Sequence, residues 1–417
     1  MCIRDRFKGD KVPVVPFSSF DSQDPEDLWT YLENARKTGS DVLAVPHNGN
    51  VSNGLMFDTK TFTGKPLTKE YAGRRMTNEP LTEINQGKGQ SETHPSLSPN
   101  DEFANFELFE MLLGSTTRGK MKTGSYVRQA YGVGQEQQEK IGANPFKFGL
   151  EGGTDYHSGI SSSEENNYPG SHGTQDMLEK NFKAILSSSE SVAGEPPTKL
   201  SAAGLTGVWA ESNTRDAIFD ALKRKECFGT SGNRTKVRLF GGWNYSGDLL
   251  KQGDWVKQAY AAGVPMGADL VPANGTAKPK FLVQAVKDPN AGNLDRIQII
   301  KVTTRNGKSI EKIFDVAWSG DRKKDGKGKL SPVGNTVDVK SATYTNSIGS
   351  AELSGYWEDT EFDPQAYTTY YARVLEIPTP RWSTYLAAKH NMEVNKSVPA
   401  SIQERAWTSP IWYTPVK

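Results

Sequence analysis

The chain changes its hydrophobic rhythm near Thr235, and that change constrains the fold more than any other feature. Before it, helical periods alternate with short, continuously apolar runs. After it, apolar and polar residues alternate along short segments. A continuous apolar run marks a strand covered on both faces, the pattern of a parallel sheet flanked by helices. Alternation marks antiparallel strands with one wet face.

The first half is read from its local signals. Asp24 caps a helix, Pro25 suits the first position, and Glu26 and Asp27 complement the positive end of the dipole. Leu28, Leu32 and Ala35 follow at helical spacing, and Gly39 closes the helix. Val42-Leu43-Ala44-Val45 is then a buried strand ending in Pro46-His47-Asn48. Further helices are expected over Phe106 to Leu113, Ser125 to Ile141 and Thr214 to Lys223. A strand over Phe146 to Leu150 runs into Gly152-Gly153-Thr154-Asp155-Tyr156-His157. Residues 160–204 are rich in Ser, Glu, Asn and Gly, and read as a long surface loop of the kind that often covers a site.

In the second half, strands are expected at Val237 to Phe240, Phe281 to Val286, Arg296 to Val302 and Tyr370 to Leu375. Turn signals such as Asp288-Pro289-Asn290 and Arg305-Asn306-Gly307-Lys308 separate them. The expected architecture is an α/β unit over residues 7–235, followed by an antiparallel β domain, a sandwich, over 236–417. A length of 417 residues allows two or three domains at roughly 100–200 residues each.

Charge and composition exclude several function classes. Lys and Arg number 50 against 49 Asp and Glu, so net charge gives no attraction to nucleic acid or anionic membrane. The Lys323 to Lys329 run reads as a solvated loop. Cys2 and Cys227 make neither a disulfide framework nor a thiolate metal motif. No apolar run approaches the roughly 20 residues of a membrane span. Neither a Gly-x-Ser-x-Gly elbow nor a phosphate loop is visible.

The chemistry concentrates in histidines. There are five: His47, His94, His157, His172 and His390. His47 follows one apolar strand, and Asp155 and His157 follow another. Ligands in α/β folds bind beyond the carboxyl ends of strands. Alternate residues of an extended segment face one side, so Asp155-x-His157 aims a carboxylate and an imidazole at one cation. Such donors suit zinc, manganese or iron. His94 lies in Glu92-Thr93-His94-Pro95, and Glu83 and Glu92 are nearby carboxylates. Each also has a plainer reading, as a hydrogen-bonded structural histidine or an ordinary acid. The argument rests on their joint occurrence beside strand ends. His172 and His390 read as solvated surface residues.

At this point the residues resemble a family. Pro46-His47-Asn48-Gly49-Asn50, the stretch Gly87 to Pro95, and Gly153-Thr154-Asp155-Tyr156-His157-Ser158-Gly159 resemble the later motifs of the polymerase-and-histidinol-phosphatase (PHP) superfamily. More closely, the chain resembles one branch of it, the bacterial domain-of-unknown-function family 3604. That resemblance includes Arg234, Gly241-Gly242-Trp243 and the closing Glu404 to Tyr413. It implies a distorted (β/α)7 barrel in which two or three divalent metals activate water to hydrolyse a small-molecule phosphoester. It implies His47, Asp155, His157 and His94 as metal ligands, with Glu92 or Glu83 as a further carboxylate. Asp155 and His157 would sit at the catalytic centre, with Arg234 a candidate to hold phosphate.

The superfamily opens with a His-x-His pair, an Asp-His pair and a bridging Glu, and none of these precedes His47 here. Met1-Cys2-Ile3-Arg4-Asp5-Arg6 resembles the translated sequencing-adapter scar of metagenomic gene fragments. The expectation is therefore a partial barrel lacking its first strands, with weak metal binding and little turnover. Relatives of the branch look exported, which leans the intact protein toward the periplasm. A different reading makes the β domain a carbohydrate- or protein-binding module through Trp243, Trp255, Trp318, Trp357, Trp382, Trp407 and Trp412. A third keeps the metal scaffold but directs it at an amide, sulfate or phosphonate ester.

Overall fold

A computed structural model of the chain describes residues 2–112, 117–157, 162–168, 186, 197–273 and 277–416. His172 and most of the 160–204 loop lie outside the described residues.

Local signals produce local structure. The Asp24 carboxylate accepts the Glu26 backbone N–H at 3.0 Å, and a helix runs Pro25–Lys37. It buries Trp29, Leu32 and Ala35, and the chain turns at Gly39 with φ of 91°. Helices Val127–Ile141 and Arg215–Lys223 follow, the second capped by Thr214. The expected helix at Phe106 to Leu113 is absent from the described part of that stretch. Its backbone bonds across the chain instead: Gln90 N–H donates to Glu107 O at 3.2 Å, and Gly119 N–H to Glu110 O at 2.8 Å. Phe106, Phe109 and Met111 are still buried, so the apolar run records burial without helical geometry.

The expected (β/α)7 barrel is not formed. The described residues hold six α-helices, and their strands are divided among two-, eight-, four-, two- and three-stranded sheets, none of which closes into a barrel. Strand Asp41–His47 pairs antiparallel with Cys2–Lys8, from Cys2 opposite His47 to Lys8 opposite Asp41. Among the described residues only Leu81–Gln86 with Gly149–Gly152, and the short Asp269–Leu270 with Ile411–Tyr413, run parallel. A continuous apolar run reports cover on both faces, and that cover is indifferent to the direction of the neighbouring strand. This is why Val42 to Val45 misled.

Two larger sheets build the second half. Glu352–Glu358, Lys280–Val286, Lys236–Gly242 and Gly263–Pro265 form one antiparallel sheet. The eight-stranded sheet carries Lys308–Trp318, Leu294–Arg305 and Tyr367–Glu376. Leu239, Phe281 and Val283 of the first meet Ile297, Ile299, Tyr370 and Val374 of the second in one buried cluster. The larger sheet reaches back before Thr235. Arg405–Thr408 pairs with Cys227–Thr230, which pairs with Leu205–Val208. Gly149–Gly152, from which the chain leads on to Asp155, packs against Cys227–Thr230.

Candidate active site

His47 ends its strand and is 6% exposed. Its Nδ1 lies 2.6 Å from Glu83 Oε2, and its Nε2 lies 3.0 Å from Asp155 Oδ1. Glu83 sits on Leu81–Gln86, and its other oxygen accepts the Asn48 N–H at 3.3 Å. Directly opposite Glu83, on the parallel neighbour, is Glu151. The chain then leaves the sheet through Gly152. A Cβ on Gly152 would stand 2.6 Å from Leu205 O, so the backbones meet as closely as they do because no side chain intervenes. Asp155 follows with φ of 54°, a left-handed conformation that Asp tolerates better than most residues. His157 Nε2 comes to 3.7 Å from Asp155 Oδ1, with its side chain 60% exposed.

Cations close the cluster. Arg4 donates to Asp155 Oδ1 at 2.5 Å, and the Lys88 ammonium bonds to Oδ2. Arg6 donates to Glu151 Oε2 at 2.7 Å. Burial alone would raise the Asp155 carboxyl, but His47 and Lys88 outweigh it and hold the group well below the usual carboxylate range. Burial alone would lower the His47 pKa, but its bonds to Asp155 and Glu83 outweigh that and raise it. Burial pushes Glu151 up to about 7, with Glu83 adding to the rise and Arg6 opposing it. Among the described residues, no three His, Cys, Asp or Glu side chains are arranged to hold one metal ion as they stand.

The family described as "Protein of unknown function (DUF3604)" matches residues 3–415. The chain belongs to the DUF3604 family. No curated protein matches it, and no solved structure does.

In this DUF3604 chain the residues singled out by sequence divide between several places. His47, Glu83, Asp155 and His157 come together. Glu92 belongs to a different, fully buried network. It accepts from Arg373 at 3.1 Å, from Trp407 Nε1 at 2.7 Å and from Tyr371 OH at 2.8 Å, and it pairs with Arg128. His94 lies 3.3 Å from Glu110 and shares a 2.7 Å bond with Ser96. Burial and the nearby Lys122 lower its pKa. Arg234 is largely exposed and pairs with Glu164 at 2.6 Å. None of these three touches the His47 group. Sequence reading missed Glu151 and Lys88, and it set Arg4 and Arg6 aside with the adapter-like Met1 to Arg6. Lys88 sits in the Gly87-Lys88-Gly89 turn, where a lone cation between glycines was the available signal.

Beside His47 and Asn48 this DUF3604 chain has a cavity of about 600 Å³, walled in part by Phe17, Ser18, Leu28, Asn53 and Met56. Among the tryptophans, Trp382 and Trp407 are wholly buried, and Trp255 and Trp412 nearly so. No helix among the described residues is long and apolar enough to cross a membrane.

Proposed function

We propose that the His47–Asp155–His157 group is the reaction centre of a metal-dependent hydrolase acting on phosphoesters, the chemistry of the PHP superfamily. What supports the reading is one relationship: Asp155 Oδ1 lies 3.0 Å from His47 Nε2 and 3.7 Å from His157 Nε2. The donor types fit a divalent cation, because two imidazoles and the Asp155 carboxylate are ligands for zinc, manganese or iron. Asp155 already draws positive charge to both oxygens, from Arg4 and Lys88. His47 Nε2, Asp155 and His157 would hold the ion. When bound, such an ion lowers the pKa of a coordinated water and draws charge from phosphoryl oxygens.

The chain's own groups have separate tasks. Glu83 holds the Nδ1 side of His47, which turns Nε2 toward Asp155. Lys88, released from Asp155, brings positive charge to the phosphoryl oxygens. Glu151 holds or yields a proton near neutral pH. The adjoining cavity takes the alcohol part of the ester; its walls carry hydroxyl, amide and apolar groups together with the acids Asp5 and Asp24. Aryl phosphate mono- and diesters, assayed with added manganese or zinc, test the proposal. Hydrolysis that depends on metal and disappears in Asp155→Ala is expected. Activity surviving that substitution, or none with any metal, overturns it.

A further inference from the structure

Three neighbouring strand ends gather acids at one edge of the large sheet, away from His47. Tyr367–Glu376 pairs with Arg405–Thr408, which pairs with Cys227–Thr230. The Glu376 N–H donates to Glu404 O at 2.8 Å, and the Ser231 N–H to Arg405 O at 2.9 Å. Register therefore sets Glu376, Glu404 and Asn233 side by side. The turn Glu165–Asn167 adds Glu165, whose Oε2 accepts the Trp382 N–H. Glu376 is 1% exposed, Glu404 5% and Asn233 7%.

These groups are half satisfied. Glu376 Oε1 accepts from Asn233 Nδ2 at 2.5 Å and Thr235 Oγ1 at 2.8 Å, and Glu404 Oε2 accepts from Ser231 Oγ. Glu376 Oε2, Asn233 Oδ1 and Glu165 Oε1 are buried with no hydrogen-bond partner. All three residues, with Glu404 and Asp288, line one cavity of about 110 Å³. Among the described residues, Glu165, Glu376 and Glu404 make no ion pair. Arg381, which faces Glu165, is bonded to both oxygens of Glu107. Asp288 is spent on the N–H groups of Arg234 and Asn290. Buried carboxylates with no ion pair of their own, and orphaned acceptors facing a cavity, are both costly, and one bound cation removes both costs.

We infer that Glu376 Oε2, Asn233 Oδ1, Glu165 Oε1 and Glu404 bind one hard divalent cation of the calcium class. Every donor is oxygen, which selects calcium over zinc or copper. The acids ring the cavity and do not converge on a point, so water completes the shell, as it commonly does around calcium. In the absence of an ion, burial pushes Glu165 up to about 7 and Glu376 up to about 8, and raises Glu404 well above its ordinary range. The ion ties the Glu165 turn, in the segment that follows Asp155 and His157, to the sheet edge.

The test uses the whole chain, stripped with chelator and titrated with calcium chloride by calorimetry, with thermal melts alongside. Uptake of one calcium per chain with a rise in Tm is expected. Glu376→Gln and Asn233→Ala should each lose the uptake and the Tm rise, while Asp155→Asn should keep both. Terbium bound to the unaltered chain should luminesce on tryptophan excitation and be displaced by calcium, a readout that needs no variant. No calcium uptake, undiminished uptake in both cavity variants, or loss in Asp155→Asn each overturns the inference.

Discussion

His47 and Glu83 meet across two different sheets, with Nδ1 of the imidazole 2.6 Å from a carboxylate oxygen. The two residues are buried together, and Asp155 stands on the other side of the ring. The imidazole is thus held between carboxylates, which favours its charged form.

This arrangement sets a pH dependence. The folded-state pKa of His47 is raised above its ordinary 6.5. A raised pKa contributes stability that is fully present below about 6.5 and is lost as pH rises through the folded value. NMR titration should find His47 titrating above 6.5 in the unaltered protein and distinctly lower in Glu83→Gln. Equal titration in both would show that the pair does not hold the proton.

Asp155 has the opposite sign. Its pKa is depressed below the ordinary 3.8, so its contribution is present above that value and lost as pH falls through the folded value. Asp155→Ala leaves His47 and Lys88 without their shared carboxylate. Arg4 is half exposed and solvent screens it, so a loss of about 1–3 kcal/mol is expected by urea unfolding.

Glu92 tests structure against chemistry. Its carboxylate lies between Arg373 and Arg128, which with burial opposing them hold it down to about 2. Glu92→Gln should cost about 3–5 kcal/mol, because it leaves buried guanidinium groups short of charge. Metal content per folded chain should be unchanged. A fall in metal content at preserved stability would return Glu92 to the ligand set.

Gly152 tests the close approach beside the site. In Gly152→Ala the new methyl meets Leu205 O at 2.6 Å, a backbone atom that cannot swing away. A loss of about 1–3 kcal/mol is expected. Altered His47 and His157 NMR shifts should accompany it, since the Asp155 turn begins there.

Legibility followed locality. Asp24, Pro25 and the Leu28–Leu32–Ala35 spacing act within a few residues of one another, and the helix they indicate is present at Pro25–Lys37. Gly153 to His157 could be read as a strand exit for the same reason. Glu92 and His94 looked like joint members of one site because they are two residues apart. Their side chains instead reach Arg373 and Glu110 respectively. Glu151 carried no local mark, and its placement opposite Glu83 comes from the register of two strands far apart in the chain.

By itself, then, the sequence determined several of the helices, which runs are buried and which residues can carry charge. Those properties depend on backbone preference and on neighbours a few positions away. Only the tertiary structure decided that Asp41–His47 runs against its partner, that Asp155 sits between two imidazoles, and that Glu376 and Glu404 share a cavity with Asn233. Strand direction and register are chosen by long-range pairing, and burial patterns alone leave both open.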